Sequence, residues 1–323
     1  MPTLYKSPLN YIGGKYKMLP QIIRHFPQNI NVMYDLFAGG CDVCVNVNTN
    51  RVFANDINFF VVDIFKKFQK MAIDELLYSI DGIIGTWNLS MTNKDAYLSF
   101  RHHYNSCPIE QRDPIELYVL VCYSFNYQFR FNSKHEFNNP FGKNRSSFNP
   151  QMRKNLIKFH EKIRKINFSS FNFRDLKLDF LGEGDFLYAD PPYRISIGSY
   201  NDGKRGFEGW SLNDDLLLFD LLDELNSRGV KFALSNVVEH KGMTNYELLH
   251  WKEKYYTHEI SYNYNNSNYH AHNKNYSTRE VLITNYVEDS CYGDKDIWMG
   301  AKSRLTDEIE NGNRYIQLKL NLQ

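Results

Sequence analysis

Short apolar runs closed by glycine, asparagine or aspartate dominate the first part of the chain. From Met33 it reads Tyr34-Asp35-Leu36-Phe37 and then Ala38-Gly39-Gly40, which predicts a buried strand entering a glycine turn. A helix is expected to follow through Val43 and Val45. Arg51-Val52-Phe53-Ala54-Asn55-Asp56 predicts a second short strand ending on a carboxylate. Strand, glycine turn, helix and a strand ending in an acid form the opening unit of a nucleotide-binding α/β sheet. Asp63 to Ile84 has apolar positions at helical spacing, whereas Ile115 to Cys122 is an apolar segment whose type the pattern leaves open. Asp185-Phe186-Leu187-Tyr188-Ala189 predicts a strand that stops at Asp190. After a loop with glycines at 198, 203, 206 and 209, Asp214 to Ser227 reads as an amphipathic helix and Val230 to Leu234 as a strand. Tyr255–Tyr262 and Arg279–Tyr286 predict two strands around an Asn-rich turn, the antiparallel close of such a sheet. There is no internal repeat, and Glu288 to Gln323 carries no readable motif.

Composition changes this picture in the middle of the chain. Lys94 to Lys165 is rich in Asn, Phe, Arg and Ser, and Asn138-Asn139-Pro140-Phe141-Gly142 reads as a turn. Its aromatics are enough for a small core, so it is expected to be an inserted domain. The formal net charge of the 323-residue chain is only +1, yet Gln128 to Lys165 holds ten Lys or Arg against Glu136 and Glu161. Such an excess favours a polyanionic partner over an ordinary solvated face. Tyr123, Phe125, Tyr127, Phe129 and Phe131 lie in or beside the stretch, where rings can stack on bases while cations hold phosphates. No run of 18 apolar residues suggests a membrane span, and Met1 to Tyr16 has no apolar core of a secretory signal. Five scattered cysteines, with only Cys41 and Cys44 in a CxxC, predict reduced buried thiols of a cytoplasmic protein and no metal site.

The most specific chemistry is Asp190-Pro191-Pro192-Tyr193 at the end of a predicted strand, where open α/β sheets bind ligands. An aromatic amine is hard to alkylate because its lone pair is delocalised into the ring. A carboxylate and a carbonyl that accept both of its N–H bonds draw the nitrogen toward tetrahedral geometry, and Asp190 with the Pro191 carbonyl can supply these acceptors. The proline pair keeps the strip rigid and free of donors, and Tyr193 offers a face for an extruded base. A plain Pro-Pro turn ending the strand is the alternative. In Asp35-Leu36-Phe37-Ala38-Gly39-Gly40 the glycines allow close approach of the backbone, and Asp35 can meet a ligand ammonium. Asp56 can bind ribose hydroxyls or simply cap the helix before Phe59. Asn10-Tyr11-Ile12-Gly13-Gly14-Lys15 looks like an anion-binding turn, but it lacks the Walker spacing.

In this order the elements resemble the Dam-like class of adenine-specific DNA methyltransferases. That family places an aromatic-x-Gly-Gly-Lys element first, then the glycine loop, a target-recognition domain and Asp-Pro-Pro-Tyr; here the likeness spans about residues 5 to 287. The resemblance implies an α/β, Rossmann-like S-adenosylmethionine-dependent methyltransferase sheet formed by residues 1–90 and 166–287. It implies a helical and hairpin recognition insertion over 91–165 and leaves 288–323 as a tail without a role. It assigns S-adenosylmethionine to Tyr11, Lys15, Asp35, Phe37, Gly39, Gly40, Asp56 and Asp190, with Phe173 and Asp175, in a strand-like stretch, at the cofactor adenine. Catalysis falls to Asp190, Pro191, Pro192 and Tyr193. DNA contacts fall to Phe125, Asn126, Arg130, Asn132, Lys134, Asn139, Lys143 and Arg145. In chemical terms, Arg130 can pair with guanine, an Asn with an adenine edge, and Phe125 can fill the gap left by a flipped base. Asn126 and Arg130 can equally tie the hairpin together.

The implied substrate is adenine N6 in a short GATC-like duplex site, and the implied protein is a monomeric bacterial or phage enzyme acting beside a separate restriction endonuclease. Cysteine 41 stands where the family usually has a glycine, and so does His135 in the recognition hairpin; the side chain at 41 is expected to crowd the ligand or turn away. Cytosine N4 and RNA remain rival substrates, and a silent DNA-binding module a rival function. Cytosine carbon methylation is disfavoured, because no Pro-Cys dipeptide is present.

Overall fold

A computed structural model describes residues 4–49, 51–196, 209–261 and 278–287, to which every structural statement below refers. Most of the glycine loop after Arg194, the Asn-rich turn, Cys291 and the 288–323 tail lie outside them.

Eight strands form one sheet: β1 (Val32–Asp35), β2 (Arg51–Asn55), β3 (Ile166–Ser169), β4 (Phe186–Ala189), β5 (Lys231–His240), β6 (Met243–Thr244), β7 (Tyr256–Ile260) and β8 (Thr278–Thr284). Their order is β3-β2-β1-β4-β5-β8-β7, with β6 paired to β5. The first five are parallel neighbours, while β8 runs antiparallel to β5 and β7 antiparallel to β8. This is the expected Rossmann-like sheet with its antiparallel close. The connections run outward in opposite directions from β1 and β4, so the switch point lies at their carboxyl ends.

Alternation along the strands divides the core between the two faces of the sheet. Met33, Val52, Phe186 and Tyr188 enter one cluster with α2 (Phe59–Lys70), α5 (Pro114–Tyr123) and α6 (Pro150–Ile163). Val32, Tyr34, Leu187 and Ala189 enter the other with α7 (Leu212–Ser227) and α8 (Tyr246–Trp251). The aromatics of the middle stretch build no separate core. Tyr97, Phe100, Tyr104, Phe131 and Phe137 join the cluster that α2 shares with the sheet.

Several elements differ from the pattern for physical reasons. The helix expected through Val43 and Val45 is one 3-10 turn, Cys44–Asn46. Cys41 is left-handed at φ 61°, the Asn46 amide bonds the Asp42 carbonyl, and β2 begins at Arg51. The stretch from Asp63 to Ile84 is two helices, α2 and α3 (Ile73–Thr86), parted by extended backbone at Met71 and Ala72. The segment of open type is α5, with Pro114 in its first turn and the Asp113 side chain capping Ile115 N–H. It is buried on every side from Leu117 to Tyr123, which erases the period that would have marked it as helical. The remaining helices are α1 (Leu19–Ile23) and α4 (Lys94–Ser106). Phe173–Asp175, expected in a strand-like stretch, is a 3-10 turn beyond β3. Cys41, Cys44 and Cys122 are buried free thiols, whereas Cys107 is only half-buried. Among the described residues no helix is long and apolar enough to cross a membrane.

Candidate active site

Two acids mark the switch point. Asp35 is the last residue of β1, and Asp190 follows β4 directly; Asp35 pairs in register with Tyr188 of that strand. Beyond Asp35 the chain turns through Gly39, whose φ of 47° and whose neighbour explain the glycine. A Cβ there would come within 2.8 Å of the Tyr11 ring. The Gly39 N–H donates to Asp56 Oδ2 at 2.8 Å, and Asn58 N–H donates to Asp56 Oδ1 at 2.8 Å. Asp56 therefore binds the glycine turn to the end of β2, while the cap of α2 is Asn58. Cys41, after Gly40, is 1% exposed and packs within the core cluster.

The residues of the Asp-Pro-Pro-Tyr strip and the N-terminal Gly-Gly-Lys element meet. Lys15 Nζ lies 2.8 Å from Asp190 Oδ1, and the Tyr193 hydroxyl donates to the same oxygen at 2.8 Å. Both fall on Oδ1, which leaves Oδ2 for an incoming donor. Lys15 also donates to the Gly13 carbonyl at 3.2 Å, so the paired glycines curl the backbone around their own lysine. Lysine 15, expected at the cofactor, is ion-paired here with Asp190 of the Asp-Pro-Pro-Tyr strip. Burial pushes the Asp190 carboxyl above its ordinary range, while Lys15 pulls it back. Burial also acts to lower the Lys15 ammonium, but Asp190 and a further acid, Glu280, hold it above its usual value.

Glu280 is a member of the site that sequence reasoning missed. It sits on β8 at 3% exposure, 2.9 Å from the Tyr193 hydroxyl and 3.6 Å from Lys15 Nζ. The available signal was an acid directly before Val281-Leu282-Ile283 in a strand buried from position 280 onward. Trp210 was missed as well. Its ring centroid lies 5.5 Å from that of Phe37 and 5.3 Å from that of Phe173, and its indole N–H is held by Asp215 at 2.8 Å.

These residues suit a sulfonium nucleoside bearing an amino acid. Asp35 is 1% exposed, and neither carboxylate oxygen has a hydrogen-bond partner; the nearby Cys44 thiol donates instead to the Cys41 carbonyl at 3.7 Å. Burial, then the charge of Asp190, push its carboxyl up to about 8. An orphaned buried carboxylate beside a glycine turn is the complement of a ligand ammonium, and the Phe37–Phe173–Trp210 trio is the complement of an adenine ring. Asp175 is exposed, at the rim of the turn that carries Phe173.

The hairpin expected to recognise DNA separates its expected contacts into two groups. Phe125, Asn126, Arg130, Lys134, Lys143 and Arg145 are exposed, with the Arg145 guanidinium 5.1 Å over the Phe125 ring. Asn139 and Asn132 instead work inside the fold. Asn139 is 1% exposed and donates to Ser124 Oγ and to the Phe125 and Gln128 carbonyls. Its own carbonyl accepts from Tyr97 and Arg101. Asn132 donates to Glu136 and accepts the Lys134 and Glu136 N–H groups, closing the hairpin tip. His135 occupies a left-handed position at φ 57°, which is the physical reason a glycine is usual there. The hairpin also touches the N-terminal element. Asn10 donates to the Asn126 carbonyl at 2.9 Å, and the Tyr11 ring lies 6.1 Å from Phe129.

Residues 11–280 match a family described as D12 class N6 adenine-specific DNA methyltransferase. The type II methyltransferase M.FokI of Planomicrobium okeanokoites is 45% identical over 285 residues, covering 87% of this chain and 43% of that protein. Modification methylase StsI of Streptococcus sanguinis is 47% identical with the same coverage. The DNA adenine methylase of Escherichia coli K12 is 26% identical over 229 residues, 71% of this chain and 79% of that protein. The chain thus spans less than half the length of the first two relatives, at 43% each.

Proposed function

The chain belongs to the D12 class N6 adenine-specific DNA methyltransferase family, whose members draw their methyl group from S-adenosylmethionine, and from that premise we propose that it methylates N6 of a flipped adenine in a short GATC-like duplex site. The observation that carries the proposal is Asp190. It lies at the carboxyl end of β4, its Oδ1 is engaged by Lys15 and Tyr193, and its Oδ2 is open to a donor.

Asp190 Oδ2 and the Pro191 carbonyl accept the two N–H bonds of the adenine amine. The Oδ1 bonds to Lys15 and Tyr193 keep the carboxylate from rotating, so the nitrogen lone pair is directed by a rigid acceptor. The Tyr193 ring stacks on the extruded base. Asp35 would hold the ammonium of the cofactor, the backbone at Gly39 and Gly40 would allow its close approach, and Phe37, Phe173 and Trp210 would enclose its adenine. When bound, S-adenosylmethionine supplies an electrophilic methyl carbon whose bond to sulfur breaks with the electron pair going to sulfur. Residues 1–90 and 166–287 form the catalytic part and 91–165 the recognition part. Exposed Arg130, Asn126 and Phe125 read the duplex, while Lys134, Lys143 and Arg145 hold phosphates. The setting is a bacterial or phage cytoplasm, where a monomer modifies DNA beside a separate restriction endonuclease.

Transfer of tritiated methyl groups from S-adenosylmethionine to duplex DNA tests the reading. Label on N6-methyladenine is expected; label on cytosine or RNA alone, or none, overturns it. Asp190→Ala should abolish transfer while DNA binding persists, and full activity in that variant would reduce the strip to a turn.

A further inference from the structure

Two carboxylates and one ammonium occupy the catalytic network. Lys15 is 4% exposed and Glu280 3% exposed, and both lie beside Asp190. With all three ionised the cluster carries a net charge of −1. Tyr193 does not cancel it: a single phenolic hydrogen lies between Asp190 Oδ1 at 2.8 Å and Glu280 Oε1 at 2.9 Å and neutralises neither. A buried charge beyond what its partners balance is expensive to keep. A lysine bonded to Asp190 alone would have given a neutral site. The second acid therefore calls for a reason.

The chemistry supplies one. As N6 forms its bond to the methyl carbon and the carbon–sulfur bond breaks with its pair going to sulfur, N6 becomes cationic. It recovers neutrality only when an N–H bond breaks, the electron pair staying on nitrogen and the proton leaving. Asp190 is the acceptor within reach, yet a protonated Asp190 beside Lys15 with no other acid would leave a buried net charge of +1. With Glu280 present the cluster passes from −1 to neutral.

We propose that Glu280 is the counter-charge of the methyl-transfer site, a positioning residue that anchors the Tyr193 hydroxyl and shares the Lys15 ammonium so that Asp190 can take the proton shed by methylated N6. The inference rests on the amino-methyltransferase reading of the site. Besides Lys15, Asp190 and Tyr193, the polar groups facing this cluster include the Tyr188 hydroxyl of β4, bonded to Ser235 of β5 at 2.8 Å, Asp35 at the end of β1, and the buried Asp42, which feels the Lys15 charge and accepts the Ser7 N–H at 3.0 Å.

Glu280→Gln removes the charge and keeps the shape and an acceptor for Tyr193. Single-turnover methyl transfer is expected to fall about 10²-fold, the scale of one lost electrostatic contact. Duplex affinity should stay put, and the melting temperature should hold or rise, because the excess buried charge is gone. Glu280 is a like charge that raises the Asp190 carboxyl, so its removal should move the acid limb of the rate–pH profile to lower pH. Glu280→Asp, which keeps the charge, should recover most of the rate. A residue serving only as a hydrogen-bonded strut would leave rate and acid limb unmoved in Glu280→Gln, and that result overturns the proposal. Infrared titration of the Asp190 carboxyl, assigned by its loss in Asp190→Asn, gives a readout that needs no turnover. A lower midpoint in Glu280→Gln supports the counter-charge and an identical one defeats it. A wild-type chain that labels no adenine, whatever the titration shows, instead defeats the functional reading.

Discussion

Asp35 is the residue whose surroundings make the sharpest demand. A carboxyl raised from 3.8 to about 8 keeps its proton in the folded chain at pH values where the unfolded chain has lost it. Between about pH 4 and pH 8 the empty fold is therefore destabilised as pH rises, because the native state binds more protons. A ligand ammonium requires the ionised form, so cofactor binding expels this proton. From pH 6 to 7.5 the affinity for S-adenosylmethionine should rise by about tenfold per pH unit, the 1.36 kcal/mol that one unit represents. Calorimetric titration across that range is the check, and Asp35→Asn should flatten the profile; a flat wild-type profile would mean that Asp35 does not meet the ammonium. Gly39 makes a steric demand. Gly39→Ala places a Cβ within 2.8 Å of the Tyr11 ring at a left-handed position, which costs about 1–2 kcal/mol in backbone alone. A lower melting temperature and weaker cofactor binding should follow; adding Tyr11→Ala should return the steric part of the melting-temperature loss but not the backbone part.

Among the elements, the hairpin of residues 125–145 shows what residue type can reveal. Asparagine on a hairpin expected to meet DNA suits both base reading and turn building, and the pattern of the chain does not separate the two uses. The fold does: Asn139 is buried with its amide bonded to Ser124, Phe125 and Gln128, while Arg130 stands exposed. Asn139→Ala should therefore cost about 1–3 kcal/mol of stability, the penalty for leaving buried partners unsatisfied, without changing which base pair is preferred. Arg130→Ala should do the reverse, relaxing discrimination at one base pair by about 1–3 kcal/mol at constant melting temperature. Thermal unfolding and methylation of substrates with single base changes measure both. Matching effects in the two variants would contradict the division. The same limit applies to α5, where burial on every side removed the period that marks a helix. It applies to the turn after Gly40 too, where a left-handed cysteine and the side chain of Asn46 replaced a helix.

At the scale of the molecule, β3 was not marked by the pattern, whereas β1, β2, β4 and β5 were legible because short apolar runs and glycine turns are local signals. Glu280 was not, since its meaning depends on a strand 265 positions from Lys15 that pairs its way into the same end of the sheet. Charge behaves similarly. The overall value of +1 conceals ten cations between Gln128 and Lys165, and the structure leaves Lys134, Lys143 and Arg145 exposed on one hairpin and its flank. If these three hold phosphates, their binding energy comes from counterion release, and each contributes about 0.9 to the slope of log affinity against log salt. Replacing all three by Gln should lower that slope by about 2.7 and weaken cognate and unrelated duplexes alike, because phosphate contacts carry no sequence information. Fluorescence titrations of both duplexes between about 50 and 200 mM salt decide the matter. An unchanged slope would place the phosphate contacts elsewhere on the protein. A loss confined to the cognate duplex would instead assign these cations to base reading, alongside Arg130.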